Sequence, residues 1–588
     1  MGAAPLLSSA PWGCDTTCCY TRDNQGRAES VQVLTVEAPT SPRGQGPSQE
    51  FPNLCMPMSS FMKLEKLLPQ EEAIHKLVEP QDDATCHFIS HEWLGFVHPD
   101  PDSTQLKRMQ QIFAKFICGE AQQLFRGADW EAFLHGVSAG TGHSRRGLEE
   151  GVVERERRTA EDVAYHVSAG FVWCDFHSIP QAVKDDTFFK AVNSIPYYVE
   201  RCDYFWICAP NAIHGDLREP RDFASWRRRG WCRLEETANL LSRNLKMPMV
   251  VTDKPFLSTY GFFDASIHIY NGRPERSVFN GNFTCCHFHH KMSRPNGTIE
   301  HIGCDKDTIA PMISRMFRNV ISKPAKEQRF RTNVLRNMAL TIFAGYPSEL
   351  KQWLPNPNES LDDVLAKLGF ESLESKDTLG WSPLPWIVWS GNLELACKVA
   401  EARPALLENA GSDVILMLSV ALEPKKYRRL VAMHSPEMLA ALINRPSPAL
   451  GVTAVDRAAK LGHSQNLELL LELRAEVDTR RRDNDATPLI SAASEHYGDC
   501  VETLLAHRAD VNACDMHGKT ALHWAVDPVS ILGNPEPGAG VAVIRALLEG
   551  RANVTLRDKQ GKSAFELARE LQLGGRGLQL LLDREVAW

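Results

Sequence analysis

The stretch Arg229-Gly-Trp-Cys-Arg-Leu-Glu-Glu236 decides how the first half of this chain is interpreted. It predicts the start of a helix, because Leu234 and Leu241 then fall on one apolar face. Trp231 and Glu235 are four residues apart and would lie one above the other on that helix. An indole ring beside a carboxylate can stack on a planar ligand and can raise the pKa of the acid. The alternative is a half-buried helix with a packed Trp and a solvated Glu.

The composition is that of a globular protein with more than one domain. The chain of 588 residues exceeds what one core holds, and its contents of 43% hydrophobic and 23% charged residues are ordinary. A net charge of −8 argues against a general nucleic-acid binder. No apolar run approaches the roughly 18 residues of a transmembrane helix, and we find no secretory signal. The 16 cysteines are therefore expected as thiols in a reducing, cytoplasmic compartment.

Residues 1–60 are rich in Ser, Pro and Gly without any periodicity, and we expect a disordered tail there. The opening Met1-Gly2 is similar to a myristoylation signal, although Leu6 stands where Ser or Thr is usual. The cysteines that could carry palmitate beside it are Cys14, Cys18 and Cys19. Lipid anchoring of this tail stays open.

Residues 61–255 show apolar strand patterns that alternate with helical patterns. The strand-like runs are 85–90, 170–176 and 204–208, and the helical ones are 62–68, 105–124, 188–199 and the stretch from 230. Such alternation predicts a parallel sheet covered by helices on both faces. Because ligands bind at the carboxyl ends of parallel strands, we expect a site at that edge.

The residues that this edge would collect are acidic, aromatic and imidazole groups. They are Ser90, His91, Trp93, Asp175 and His177, together with Trp231 and Glu235 from the helix that follows. His91 and His177 could act as ligands or as acid–base groups, or could simply form local hydrogen bonds.

These segments resemble TIR domains, and the related HET domains, over about residues 84–250. Phe88-Ile-Ser-His91 is similar to the first TIR strand, and Asp175 lies where TIR domains place an Asp after the second strand. Trp231-Cys-Arg-Leu-Glu235 resembles the Trp-Cys-x-x-Glu of plant-type TIR domains. Val172-Trp-Cys-Asp-Phe-His-Ser-Ile-Pro-Gln181 is similar to the corresponding strand of HET domains. The loop 178–181 departs from the Gly-containing loop that TIR domains usually carry there.

The resemblance implies an enzyme that splits NAD at its nicotinamide–ribose bond, or an inactive signalling relative that self-associates. The essential carboxylate of TIR enzymes carries over to Glu235, because it ends the Trp-Cys motif. Loss of nicotinamide leaves an oxocarbenium-like ribose, which a nearby carboxylate stabilises. The Arg227-Arg-Arg229 run could meet the diphosphate of the substrate or could be a solvated turn.

Residues 256–370 are predicted to be a mixed, mainly helical region. Cys and His residues cluster there at Cys285, Cys286, His289 and Cys304. Their spacing allows a structural zinc site, but ordinary buried thiols and surface imidazoles are the alternative.

Residues 377–588 contain an internal repeat. Ala486-Thr-Pro-Leu489 recurs as Lys519-Thr-Ala-Leu522, and the step from Thr487 to Thr520 is 33 residues. The segment resembles ankyrin repeats, with an earlier copy at 452–463, a last copy from 561 and two decayed copies upstream. The loop 532–540 lengthens one step. We expect an all-α solenoid whose concave surface binds a protein, or which packs only against the rest of the chain.

Two functions are compatible with this organisation. The first is a signalling enzyme that cleaves NAD and senses a partner through its repeats, and the presence of Glu235 favours it. The second is an adaptor without activity, in which both regions bind proteins, and the loop 178–181 favours it.

Overall fold

The structure is a computed structural model that describes residues 47–125, 129–134, 158–182, 185–260, 266, 273–293, 299–322, 329–353, 356, 358–377, 380–420, 428–448, 451–482, 484–526, 538–570, 579 and 581. The lipid-anchor candidates at the beginning of the chain lie outside these residues. Most of the charged segment 137–162 and most of the loop 532–540 do too.

The described residues contain ten short strands, which form one six-stranded sheet and two separate two-stranded pairs. The strands are β1 (Met56–Pro57), β2 (Cys86–His91), β3 (Phe171–Trp173), β4 (Tyr204–Cys208), β5 (Ala212–Ile213), β6 (Pro220–Arg221), β7 (Pro248–Val251), β8 (Ser258–Thr259), β9 (Lys291–Ser293) and β10 (Ile299–His301). The main sheet runs in the order β1-β3-β2-β4-β7-β8, while β5–β6 and β9–β10 form separate two-stranded pairs.

Helices cover this sheet on both faces. They are α1 (Met58–Phe61), α2 (Gln70–Ala73), α3 (Thr104–Ile117), α4 (Asp129–Leu134), α5 (Ala160–Ala169), α6 (Asp175–Ser178), α7 (Asp186–Asn193), α8 (Ile195–Arg201), α9 (Phe223–Trp226) and α10 (Gly230–Leu241). The mixed α/β architecture that the sequence predicts is confirmed.

The four central strands, β3, β2, β4 and β7, pair in parallel. The chain goes from β2 to β3 on one side and then crosses to β4 on the other side. This order makes a topological switch point between β2 and β4, where parallel sheets open a crevice at their carboxyl ends. The edge strands β1 and β8 are antiparallel to their neighbours.

The buried strands place alternate side chains on opposite faces of the sheet. Phe88 and Phe205 contribute to one core, and their chain neighbours Ile89 and Trp206 contribute to the other. This period of two follows from the pleat of the strand. Because both faces are covered, all six residues of β2 are buried, including the polar His87, Ser90 and His91.

The structure corrects several sequence-based boundaries. The predicted helix at 62–68 is wrong, because the helix there is α1, which ends at Phe61. The helix predicted at 188–199 is two helices, which meet at Ser194, where Pro196 follows in the first turn of α8. Strand β7 has no counterpart in the prediction. Strand β1 pairs with β3, so the boundary at residue 60 falls inside the domain.

The middle segment is mainly helical. It contains α11 (Thr284–His287), α12 (Asp305–Ser322), α13 (Arg329–Ile342), α14 (Pro347–Leu350) and α15 (Leu361–Leu368). Helix α12 packs against α10 of the α/β domain. Short 3-10 turns lie at Ile74–Lys76, Ala121–Leu124, Pro274–Arg276, Val278–Asn280 and Lys351–Trp353.

The rest of the chain is an array of helix pairs. Its helices are α16 (Pro383–Trp389), α17 (Leu393–Ala402), α18 (Pro404–Leu418), α19 (Arg428–Val431), α20 (Pro436–Ile443), α21 (Ala454–Leu461), α22 (Ser464–Glu472), α23 (Pro488–Ser494), α24 (Gly498–Ala506), α25 (Ala521–Val526), α26 (Ala539–Glu549) and α27 (Ala564–Glu570). The repeated Thr caps its helix, since Thr453 and Thr487 accept from backbone N–H groups three residues on.

The segment from Arg273 to Ser277 joins the two parts of the molecule. Arg233 of α10 donates to the carbonyl oxygens of Glu275 at 2.8 Å and Ser277 at 2.7 Å. Arg273 donates to the carbonyl of Leu461, and its guanidinium lies 4.8 Å from the centre of the Tyr497 ring. The array therefore packs against the rest of the chain, and one apolar core runs through both.

Candidate functional site

Glu235 of α10 lies beneath the carboxyl end of β2. Ser90 Oγ donates a hydrogen bond of 2.5 Å to Glu235 Oε2, and Trp226 Nε1 donates one of 3.1 Å to Ser90 Oγ. The Glu235 residue is 7% exposed and Ser90 is fully buried. The structure thus joins two of the residues that the sequence singled out, and it adds Trp226 as their neighbour.

Burial raises the pKa of Glu235 to about 8. The hydrogen bond from Ser90 and the charge of His91 lower that pKa, while the charge of Asp175 raises it further. Loss of solvation is the dominant cause, because a charged carboxylate is costly away from water. Glu235 is consequently a neutral acid at pH 7.

His91 and Asp175 form a buried ion pair next to Glu235. His91 Nε2 donates to Asp175 Oδ1 at 2.8 Å, and His91 Nδ1 donates to Gln105 Oε1 at 2.8 Å. Trp93 Nε1 donates to Asp175 Oδ2 at 2.7 Å. Both carboxylate oxygens of Asp175 thus accept a hydrogen bond, as an ionised carboxylate requires.

The charges of this pair are set by their mutual contact. Burial opposes protonation of His91, but Cys174 and Asp175 raise the pKa of its imidazole well above the ordinary value. Burial also opposes ionisation of Asp175, but His91 and Trp93 lower the pKa of its carboxyl. A histidinium and a carboxylate therefore lie beside a neutral glutamic acid. Two acids with pKa values pushed apart are typical of sites with separate acid and base roles.

Glu92 extends the polar cluster through contacts with Ser225 and Arg221. Ser225 Oγ donates to Glu92 Oε2 at 2.5 Å, and Arg221 Nε lies 3.2 Å from Glu92 Oε1. Burial raises the pKa of the Glu92 carboxyl. Glu92 directly follows Ser90 and His91 in the sequence, and this position at the end of β2 is the one local signal for it.

Trp231 has a different environment from the one that its spacing suggested. Its indole N–H donates to Asp305 Oδ2 at 2.8 Å, at the start of α12 in the middle segment. The aromatic ring that contacts Ser90 is instead that of Trp226, which precedes α10. Trp226 and Trp231 are five positions apart in sequence. The turn between α9 and α10 places the Trp226 ring against Ser90 and the Trp231 ring against the middle segment.

The basic run before α10 is mostly structural. Arg227 is buried, with its guanidinium 5.6 Å from the centre of the Phe223 ring. Arg229 Nη2 donates to Thr284 Oγ1 at 3.0 Å. His177 is also structural, because its Nε2 lies 3.2 Å from the Val172 carbonyl oxygen and burial lowers its pKa to about 4.

Among the residues that the structure describes, two groups of His, Cys and Asp side chains bring possible metal-ligand atoms within 4.8 Å of one another. They are His91–Cys174–Asp175 and Cys285–Cys286–His290–Cys304. The first is held by direct hydrogen bonds, with 2.8 Å between His91 Nε2 and Asp175 Oδ1. In the second, the histidine is His290 and not His289, which is exposed and was the sequence-based candidate.

The strand-edge cluster can perform acid–base and electrostatic chemistry. Its outer members are Trp93 and Asp175, which are half-buried, while Ser90, His91 and Glu235 lie beneath them. Trp93 and Asp175 are therefore the members of this cluster that are most accessible to solvent. Trp226, Gln105 and Glu92 were missed because their contacts join positions far apart in the sequence.

The C-terminal array matches a known family. The family model for ankyrin repeats, in three copies, matches residues 457–558. These residues form an ankyrin-repeat domain. Ankyrin repeats stack into solenoids that bind other proteins, which gives this chain a role in protein–protein interaction.

Curated proteins match the same region. Human "Ankyrin repeat and SOCS box protein 6" is 36% identical over 127 residues, which is 21% of this chain and 28% of that protein. Mouse "Ankyrin repeat and SOCS box protein 11" is 35% identical over 117 residues, or 19% of this chain and 32% of that protein. "Neurogenic locus notch homolog protein 1" of Xenopus laevis is 35% identical over 120 residues, or 20% of this chain and 4% of its own length.

Each of these matches spans under a third of the relative's length, and the likeness concerns the repeats alone. Within the ranges that the structure describes, no helix combines the length and the apolar character needed to cross a bilayer.

Proposed function

We propose that this chain is a cytoplasmic signalling protein whose α/β domain hydrolyses the nicotinamide–ribose bond of NAD and whose ankyrin repeats bind the partner protein. The observation that carries the proposal is the contact between Glu235 and Ser90 at the switch point of the sheet, beside the ionised Asp175. It supports the role that the resemblance to TIR domains implies for Glu235. Parallel sheets bind nucleotides at this position.

The reaction needs a water molecule and one proton acceptor. Water adds to C1′ of the nicotinamide ribose while the C1′–N bond breaks, and its electron pair returns to the pyridine ring. The products are neutral nicotinamide and ADP-ribose, and the proton of the water passes to the carboxylate of Glu235. Asp175, held as a carboxylate by His91 and Trp93, lies close enough to contribute to the electrostatic stabilisation of the oxocarbenium-like transition state.

The positive charge of the substrate makes this assignment consistent with the neutral Glu235 of the free protein. A cationic nicotinamide ring beside the carboxyl favours its ionised form, since opposite charges lower the pKa of an acid. Trp93 offers an aromatic ring at the outer side of the cluster, where the nicotinamide could stack. The residues with assigned roles are therefore Glu235, Asp175 and Trp93, with Ser90 and His91 positioning the two acids.

The direct test is NAD consumption by the full chain, followed as nicotinamide release, at several protein concentrations. Catalysis that rises steeply with concentration would support self-association of the α/β domain. Folded protein that releases no nicotinamide at any concentration would overturn the enzymatic proposal. The adaptor function would then account for the chain, because the ankyrin domain binds proteins in either case.

The pH dependence of the reaction follows from the pKa of Glu235. The ionised carboxylate is the form that accepts the proton, and its pKa in the free protein is about 8. We expect kcat/KM to rise about tenfold per pH unit below pH 8 and to level off above it. Nicotinamide release at substrate concentrations far below KM measures this profile. A level profile across that range would exclude Glu235 as the proton acceptor.

A further inference from the structure

A group of three cysteines and one histidine lies in the middle segment, outside the strand-edge cluster. The Cys285 and Cys286 sulfurs are 3.9 Å apart, and the Cys286 sulfur is 3.6 Å from His290 Nε2. Cys304 completes the group, whose four ligand atoms all lie within 4.8 Å of one another. None of the three cysteines is in a disulfide bond.

These separations are those of ligands around one ion. A tetrahedral zinc with bonds of about 2.3 Å to sulfur and about 2.0 Å to nitrogen places two sulfurs about 3.8 Å apart and a sulfur and nitrogen about 3.6 Å apart. By contrast, the 2.8 Å between His91 Nε2 and Asp175 Oδ1 is a hydrogen-bond distance and leaves no room for an ion.

The backbone around the group is shaped to present these side chains. His289 and His290 both adopt left-handed conformations, with φ of 49° and 57°, which are uncommon for residues other than Gly. This tight turn follows α11 and brings His290 back to the sulfur of Cys286. The backbone N–H of Asp305 points at the Cys285 sulfur at 3.4 Å. Donors of this kind stabilise thiolate ligands from outside the first coordination sphere.

We propose that Cys285, Cys286, His290 and Cys304 bind one structural zinc ion. Three thiolates and a neutral imidazole close a four-coordinate site, which is the composition of structural and not catalytic zinc centres. Binding releases the three thiol protons to solvent. The ligands come from three elements, α11, the turn that leads into β9, and the chain just before α12, so the ion crosslinks them.

The crosslinked segment holds the beginning of α10, the helix that carries Glu235. Gly230 N donates to the Asn282 carbonyl at 2.9 Å, and the Phe283 ring lies where a side chain at Gly230 would be, 2.1 Å from an added Cβ. On the other side, Asp305 follows the ligand Cys304 and accepts the hydrogen bond from Trp231. The zinc site therefore fixes both segments against the first turn of α10.

The experiment measures zinc in the purified full chain by mass spectrometry, with His290→Ala compared with His289→Ala. We expect about one zinc per chain in the wild type and in His289→Ala, and loss of most of it in His290→Ala. Equal zinc contents in the two variants, or a wild-type protein without zinc after purification in zinc-containing medium, would overturn the proposal.

Because a ligand variant can misfold, two further measurements decide the matter. His290→Cys keeps a metal ligand at that position, so we expect it to bind about as much zinc as the wild type. If His290 were only a packing residue, His290→Cys would contain no more zinc than His290→Ala. Replacement of zinc by Co²⁺ in the wild type should give the intense visible absorption of a tetrahedral thiolate site, which shifts in His290→Cys. A cobalt spectrum of an octahedral, oxygen-ligated ion would contradict the assignment.

Discussion

Replacement of Glu235 by Gln is expected to abolish NAD hydrolysis and, at the same time, to stabilise the fold above pH 7. The amide still accepts the hydrogen bond from Ser90, but it cannot take the proton of the attacking water. Loss of a general base reduces rates by about 10²- to 10⁴-fold. Nicotinamide release by the full chain measures this loss, and retention of more than a tenth of the wild-type rate would contradict the assigned role.

The stability effect follows from proton linkage. The pKa of Glu235 is raised from an ordinary value of 4.5 to about 8 in the folded chain. Between these values the unfolded chain loses the proton and the folded chain keeps it, so the free energy of unfolding falls as the pH rises. Gln removes this dependence, and the gain at pH 7 is at most about 3 kcal/mol.

Melting temperatures at two pH values separate this effect from ordinary packing changes. The difference between Glu235→Gln and wild type should be small near pH 5 and should grow in favour of the variant towards pH 8. A difference that does not change with pH would show that Glu235 ionises normally in the folded chain.

Glu236→Gln is the matched control for both measurements. Glu236 is the next residue on α10 and is also buried, but its carboxylate accepts a hydrogen bond of 2.5 Å from Tyr260 and not from Ser90. We expect this variant to keep NAD hydrolysis. Equal losses of activity in the two variants would point to a disturbed helix and not to catalysis by Glu235.

Replacement of Arg481 by Met is expected to cause the second large effect, in the ankyrin-repeat domain. Arg481 Nη1 lies 3.1 Å from Asp456 Oδ2, and Ser491 Oγ donates to Asp456 Oδ1 at 2.6 Å. The side chains of Arg481 and Asp456 are only 9% and 2% exposed. Removal of the guanidinium leaves a buried carboxylate without its partner, which costs about 3 to 5 kcal/mol. Urea unfolding of the array measures the loss.

Arg480→Met provides the comparison at the neighbouring position. Arg480 Nη1 lies 3.2 Å from Asp485 Oδ2, but both side chains are about half exposed, at 43% and 55%. Ion pairs in water contribute about 0.2 to 1 kcal/mol, because solvent screens them. If Arg481→Met and Arg480→Met lowered the free energy of unfolding by similar amounts, the buried ion pair of Arg481 with Asp456 would contribute no more stability than the exposed pair.

Patterns within short stretches were sufficient for much of the architecture. The apolar runs at β2 and β4 predicted buried parallel strands, and the 33-residue step between Thr487 and Thr520 predicted the ankyrin repeats. These predictions succeed because periodicity reports burial directly. The four-residue strand β7 was overlooked, since Pro248-Met-Val-Val251 is too short to stand out from its surroundings.

The sequence patterns predicted only some of the residues of the candidate site. The sequence indicated Ser90, His91, Trp93 and Asp175, because residues at the ends of parallel strands converge. It did not indicate that Trp226 rather than Trp231 faces Ser90, or that His290 rather than His289 meets Cys286. Each of these contacts depends on the backbone conformation of a single turn, which decides the direction in which the side chains around it point.

The sequence by itself determined that the chain combines a covered parallel sheet with a helical repeat, because each element carries the spacing of its own buried face. The tertiary structure decided the chemistry of Glu235. Its neutral state arises from burial under α9 and the end of β2, and its partner Ser90 lies 145 residues away. A contact between residues so far apart in sequence produces no local pattern. The spacing of residues near Glu235 therefore does not show which distant residues bury its carboxyl group.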